Sequence, residues 1–156
     1  MPLTHLDCTK CGQRHEAGRL LNLCACGGPL FARYDLEHAA REMRPGHLSL
    51  RAPNLWRYRE VLPLDEADQR VTLGEGFTPL LPAPALGARL GLPRLMVKEE
   101  AGNPTGSFKA RGLALAVGMA RKLGVRHVCL PSAGNAGSAL AAYAARAGLR
   151  AHVFVP

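Results

Sequence analysis

Three groups of residues in this 156-residue sequence have types and spacings that can do chemistry. The first is a cysteine quartet. Cys8-Thr9-Lys10-Cys11-Gly12 and Cys24-Ala25-Cys26-Gly27-Gly28 form two knuckles separated by twelve residues. Paired thiolates on two turns can close a tetrahedral shell around Zn²⁺, and glycine gives the backbone room to curl round the sulfurs. With all four protein ligands filled, such a site is structural. The second pair is C-x-C, tighter than the usual C-x₂-C. Reduced free thiols, or a site that has lost its metal, are the other readings. A redox C-x-x-C fits less well, because no strand-then-helix pattern surrounds Cys8. His5 and His15 could substitute as ligands, although four thiolates need no help. Cys129, among apolar neighbours in an expected strand, reads as a buried small side chain.

The second group is Asn103-Pro104-Thr105-Gly106-Ser107-Phe108-Lys109-Ala110-Arg111-Gly112. Asn-Pro and Thr-Gly make turns, and a helix begins near Ser107, which can cap it. A helix's first turn favours acidic residues, because its free N–H groups are positive. Here it carries Lys109 and Arg111 and no acid. That placement suits a lysine that works neutral or joined as an imine. A surface lysine on an ordinary helix is the competing reading.

The third group is Pro131-Ser132-Ala133-Gly134-Asn135-Ala136-Gly137, at a strand-to-helix turn. Small residues let backbone N–H groups approach an anion at a helix start. Asn135 either caps that helix or points into a cleft. The segment matches neither G-x-G-x-x-G nor a P-loop.

The elements that must position these groups follow from pattern. Residues 1–35 form a small unit with glycine-rich turns. Residues 36–73 read as a connecting arm, with short helices at 35–43, ended by Pro45-Gly46, and at 54–59. From residue 74 to 156 the chain reads as strand 94–98, helix 108–123 closed by Gly124, strand 127–131, helix 138–147 closed by Gly148, and strand 150–155. This alternation implies an α/β fold with parallel strands and right-handed crossovers. Three parallel strands cannot cover both faces of a sheet, and the chain stops as a strand ends, so a fragment is expected.

Composition narrows the partners. The net charge is +8, but no block of like charges occurs and aromatics are only 5%. A base-stacking surface is therefore not expected. From Lys98 onward eight basic residues face only Glu99 and Glu100, and the first 35 residues are nearly balanced. No apolar run approaches the roughly 20 residues of a membrane helix, and the first residues are not a signal peptide. A cytoplasmic address is the expectation.

Taken together, the four cysteines, Asn54-Leu55-Trp56-Arg57-Tyr58, Leu73-Gly74-Glu75-Gly76-Phe77-Thr78-Pro79-Leu80, Lys98-Glu99-Glu100, Asn103 to Gly112 and Ser132 to Gly137 resemble the threonine synthase family of fold-type-II pyridoxal-phosphate (PLP) enzymes. The Ser-Phe-Lys segment points to the fold-type-II group. The zinc-ribbon-like start with Trp56-Arg57-Tyr58 points to threonine synthase within it. The resemblance implies a tryptophan-synthase-β-like parallel-sheet fold preceded by a small Cys₄ module. It implies a lyase of amino-acid biosynthesis that converts O-phospho-L-homoserine and water to L-threonine and phosphate, with PLP storing the carbanion electrons. Lys109 would hold PLP as an imine and move protons, Asn135 would bond its 3′-hydroxyl, and Phe108 would pack beside it. Ser132 and the backbone of Ala133, Gly134, Asn135 and Ala136 would grip the substrate carboxylate. Glu75, Gly76 and Phe77 would line the substrate side, and Thr78 would reach the substrate phosphate. A homodimer is the expected assembly.

Two departures stand out. Ala110 occupies the position after the lysine where many relatives carry an acid. The glycine-rich loop for the cofactor phosphate and the hydroxyl residue facing the pyridine nitrogen are not in this sequence, so the segment alone is expected to be inactive. The enzyme rivals are threonine dehydratase and the cysteine, cysteate and diaminopropionate synthases, which share the lysine and the asparagine turn. A zinc-ribbon nucleic-acid-binding module and a truncated, non-catalytic paralogue complete the alternatives.

Overall fold

A computed structural model describes residues 3–65, 68 and 70–155. Residues 66, 67 and 69 of the expected arm, and the first two residues of the opening segment, lie outside the described ones.

The first unit is an antiparallel sheet of β1 (Leu3–Cys8), β2 (Arg14–Glu16) and β3 (Leu30–Tyr34), in the order β2-β1-β3. The register sets Cys8 opposite Leu30, so β1 ends where both cysteine turns begin. Asp35 then caps α1 (Leu36–Glu42): its Oδ1 accepts from the His38 N–H at 2.8 Å, satisfying a donor that the helix cannot. Pro45-Gly46 does more than stop α1. Pro45 opens a second short helix, α2 (Pro45–Ser49), where its missing N–H costs nothing.

Leu55–Val61 is a 3₁₀ segment capped by Asn54, whose Oδ1 accepts from the Trp56 N–H at 3.0 Å. The segment does not merely connect. Leu55, Trp56, Leu62, Leu64 and Val71 share one buried core with Ala110, Ala114 and Val117 of α4 (Lys109–Lys122) and with Ala139, Leu140 and Tyr143 of α5 (Asn135–Ala147). Alanines at the helix contact let the two backbones approach, and the larger side chains fill the space beneath. Each buried Leu or Val contributes about 1.5–3 kcal/mol.

Between arm and helices lie β4 (Leu80–Pro82), α3 (Pro84–Leu90) and β5 (Met96–Lys98). The strand expected at 94–98 exists in part, but it is not a third parallel strand. It pairs antiparallel with β4, Leu80 opposite Lys98. The turn at Leu92–Leu95 brings β5 back along β4, and the Leu95 carbonyl accepts from the Ala83 N–H at 3.0 Å. Parallel pairing is confined to β6 (His127–Pro131) and β7 (Arg150–Phe154), joined through α5 as the alternation implies. Their burial alternates. Val128, Leu130, Ala151 and Val153 pack on the core, while His127, Cys129, Pro131, Arg150, His152 and Phe154 face outward. Cys129 is thus exposed, not buried. The expectation assumed a sheet covered on both faces, and no described element covers this one.

Candidate active site and metal centre

Lys109 is the first residue of α4, whose first turn carries no acidic residue. The Ser107 Oγ accepts from the Lys109 N–H at 3.3 Å, so Ser107 supports the helix start although α4 proper begins two residues later. The Lys109 ammonium lies 4.5 Å from the centroid of the exposed Phe108 ring. Ala110 is fully buried in the core. A carboxylate there would have to be desolvated, a physical reason for a small apolar residue.

Asn135 opens α5, but it is not the cap. Gly134 stands at the cap position, and Ser132 does the capping instead: its Oγ accepts from the N–H groups of Gly134 and Gly137, each at 3.2 Å. Asn135 is exposed and its side chain bonds to no described residue. The backbone N–H groups of Ala133, Asn135 and Ala136 likewise find no acceptor among the described residues. The turn therefore presents uncommitted donors at the positive end of a 13-residue helix, a geometry suited to a carboxylate or phosphate. The Ser132 hydroxyl is committed to the Gly134 and Gly137 amides.

The loop 73–79 is held on both sides. The Gly76 N–H donates to Asn103 Oδ1 at 3.1 Å, and the Leu55 N–H to the Glu75 carbonyl at 2.8 Å. Gly76 has φ +98, and a Cβ there would lie 2.6 Å from the Leu55 nitrogen, so only glycine fits. Phe77 follows at φ +51, a left-handed conformation costing about 1–2 kcal/mol for a residue with a side chain. The guanidinium of Arg57 lies 4.8 Å from the Phe77 ring centroid. Thr78 is turned away from solvent. Its hydroxyl donates to Glu100 Oε1 at 2.7 Å and accepts from Arg111 at 3.2 Å, while its carbonyl accepts from Lys98. Arg111 forms a two-bonded pair with Glu100 at 2.8 and 2.7 Å and holds the Glu100 carboxyl down at about 2. A cavity of about 660 Å³ lies beside this cluster, walled by Tyr58, Phe77, Pro79, Leu80 and Lys98.

Sequence reasoning missed one contact here. The carboxylate of Glu75 is wholly buried and accepts from the Tyr143 hydroxyl at 2.7 Å, so Glu75 does not line an open surface. The signal was a tyrosine within an alanine-rich buried helix face, whose hydroxyl must find a partner.

The cysteine quartet converges. The sulfurs of Cys8, Cys11, Cys24 and Cys26 lie within 4.8 Å of one another, with Cys8–Cys26 at 3.4 Å and Cys11–Cys24 at 3.7 Å. Disulfides are far shorter. A tetrahedron with Zn–S bonds of about 2.3 Å has edges of about 3.8 Å, so the spacing fits. The backbone makes the same fit. A Cβ on Gly28 would come 2.6 Å from the Cys8 sulfur, closing the cradle. The N–H groups of Cys11 and Lys10 point at Cys8 Sγ, each at 3.4 Å, and pull its thiol down to about 6. His5 and His15 stand outside the cluster. His5 pairs instead with Asp7 at 3.3 Å.

Against known proteins, residues 71–156 match the family model described as "Pyridoxal-phosphate dependent enzyme". The chain is 41% identical over 149 residues to threonine synthase of Methanocaldococcus jannaschii, covering 96% of this chain and 37% of that relative. It is 37% identical over 153 residues to threonine synthase of Methanosarcina acetivorans, covering 97% of this chain and 37% of the relative. To the Synechocystis threonine synthase it is 50% identical over 100 residues, 64% of this chain and 26% of the relative. The first two matches extend through the cysteine module. The chain spans little more than a third of the length of these curated relatives.

Proposed function

Because this chain belongs to the pyridoxal-phosphate-dependent enzyme family, we propose that it is the N-terminal part of a threonine synthase, a lyase that converts O-phospho-L-homoserine and water to L-threonine and phosphate. The observation that carries this reading is a pair of helix starts. Lys109 opens α4 without an acidic partner, and Asn135 opens α5 with its amide and the neighbouring backbone donors uncommitted.

The site residues follow from that arrangement. PLP, when bound, supplies an electron sink for the carbanion at the substrate's α-carbon. Lys109 holds the cofactor through Nζ and afterwards carries protons on the same nitrogen. Phe108 packs beside the cofactor, and Asn135 bonds its 3′-hydroxyl. The amides of Ala133, Asn135 and Ala136 bind the substrate α-carboxylate, with Gly134 keeping the turn open and Ser132 fixing it by capping α5. Thr78 contributes to the substrate side through its place in the loop, because its hydroxyl is occupied by Glu100 and Arg111. The Cys8, Cys11, Cys24 and Cys26 sulfurs hold a structural Zn²⁺. The proposed organisation is a zinc-ribbon-like module at 1–35, an arm at 36–73 and the first part of the catalytic fold from 74. The rest of the catalytic fold lies beyond this segment, which is inactive alone.

No helix among the described residues is long and apolar enough to cross a membrane. We place the enzyme in the cytoplasm as a homodimer acting on a small amino-acid substrate. The near-balanced charge of the cysteine module argues against nucleic acid as its partner.

The test is the visible spectrum of the full-length protein with PLP, before and after Lys109→Ala, followed by addition of O-phosphohomoserine. The band of lysine-bound cofactor is expected in the native protein and lost in the variant, with release of phosphate and threonine by the native protein. A folded, full-length protein without that band overturns the enzyme reading. A band with dehydration of threonine or serine instead assigns the chain to a rival of the same fold.

A further inference from the structure

Glu75 and Tyr143 are both fully buried, and they come from parts of the chain 68 residues apart. A buried carboxylate calls for donors, and Oε2 receives two, the Tyr143 hydroxyl at 2.7 Å and the Leu73 N–H at 3.0 Å, while the buried Oε1 has no partner among the described residues. Burial, and then the adjacent carboxylate, push the Tyr143 phenol above its ordinary range, so it stays a donor.

The pair has a specific place. Tyr143 lies about two turns along α5 from the amides of Ala133, Asn135 and Ala136. Glu75 is followed by Gly76, whose N–H donates to Asn103, and Asn103 opens the segment that leads into Lys109. Asn103 in turn donates to Glu100, the partner of Arg111 on α4. The chain of contacts thus runs from α5, through the loop 73–78, to the start of α4. The loop pays for this with a residue at positive φ, Phe77, which persists only where both flanks are pinned.

We propose that Glu75 and Tyr143 are positioning residues: their hydrogen bond fixes the loop 73–78 and, through it, the placement of the carboxylate-binding turn relative to the segment bearing Lys109. This rests on the functional reading above. Neither side chain touches substrate, since both are enclosed by protein. Their effect is on alignment, where displacements of about an ångström cost on the order of 100-fold in rate.

The experiment uses full-length protein loaded with PLP, with activity expressed per cofactor-loaded site. Tyr143→Phe keeps the ring and removes only the hydroxyl. It is expected to lower kcat/KM on the order of 10- to 100-fold, with cofactor loading unchanged. Glu75→Gln keeps an acceptor for Tyr143 and Leu73 and is expected to retain more activity than Tyr143→Phe, with the pH profile of kcat/KM unmoved. Leu64→Ala is the stability control. It packs against Gly118 of α4 in the same core and bonds to neither member of the pair, so the variant lowers Tm while leaving kcat/KM per loaded site intact. If Tyr143→Phe stays within about twofold of the native kcat/KM, whatever its Tm, the positioning role is overturned. If the native protein does not turn over O-phosphohomoserine, the substrate assignment fails instead. The pair is then judged by the spectral change on adding L-serine or L-threonine, and equal affinity in native and Tyr143→Phe protein overturns it.

Discussion

The two ends of this chain are held together by different forces. In residues 3–34 only Leu3, Cys8, Cys24 and Gly28 are buried, and Leu20, Leu23 and Phe31 stay more than half exposed. From residue 55 onward, the arm, α4 and α5 bury a continuous cluster from Leu55 to Tyr143. A unit of about 35 residues gains little from burial alone, and on the proposed ligation a metal supplies the rest. The larger region has apolar area to spare. It accommodates buried polar groups: Glu75, Thr78, Asn103 and Ser107 lie in the loop 73–79 and the segment leading to α4, and Glu60 is held by Arg51 in the arm. The lesson is that polar and strained features are informative chiefly where a packed core can carry them.

The largest effect is expected at the cysteine module. On the proposed ligation, Cys11→Ser or prolonged chelation should unfold the cysteine module, a loss of about 10 kcal/mol or more of local stability. Hydrogen exchange is expected to show β1–β3 unprotected, with α4 and α5 unchanged. Native protein without stoichiometric zinc, yet with protected β1–β3 amides, would mean that the small sheet is held by its strands alone. Leu64→Ala is the converse perturbation. Leu64 is 1% exposed beneath α4, and its truncation should cost about 2–5 kcal/mol in urea unfolding of the core while leaving metal content unchanged.

A third change addresses the polar cluster. The Glu100 carboxyl is held at about 2 by Arg111, against an ordinary value of 4.5. A depressed acid stabilises the fold fully above its unfolded value, and the contribution is lost as pH falls toward the folded one. Glu100→Gln should therefore destabilise the protein at pH 7 by on the order of 2 kcal/mol. The gap between native and variant should then close between about pH 4.5 and pH 2, as read by urea midpoints across that window. A constant gap would mean that shape rather than charge holds the cluster.

How much of this was legible beforehand depended on the range of the interaction. The helices 109–122 and 135–147, with Gly124 and Gly148 just beyond their ends, and the strand 127–131 were readable because their signals are local: alanine-rich stretches, punctuating glycines, short apolar runs. The cysteine convergence was readable because ligand chemistry fixes the geometry from the spacing. What escaped was pairing at a distance. Nothing within 94–98 distinguishes a parallel partner from the antiparallel β4, and β4 itself, only three residues with a proline, carries almost no strand signal. The exposure of Cys129 depends on what covers β6, not on Cys129. The Glu75–Tyr143 bond links residues that share no local pattern. At the site, Lys109 and Asn135 were singled out for their positions at helix starts, and the exchange of capping from Asn135 to Ser132 emerged only with the turn's geometry.

The smallest perturbation lies at the boundary between the two regions. Asp35 follows directly on β3 and caps α1, through the 2.8 Å bond from the His38 N–H. In Asp35→Ala that donor loses its acceptor, at a cost of about 1 kcal/mol. The effect should stay local, because α1 is short and buries only Ala39. Amide exchange is expected to rise through 36–42, with no change in metal content and none in the protection of α4 and α5. If the loss instead spread into β1–β3, the cysteine module would depend on the helix that follows it. The division between a ligated unit and a packed one would then have to be drawn further along the chain.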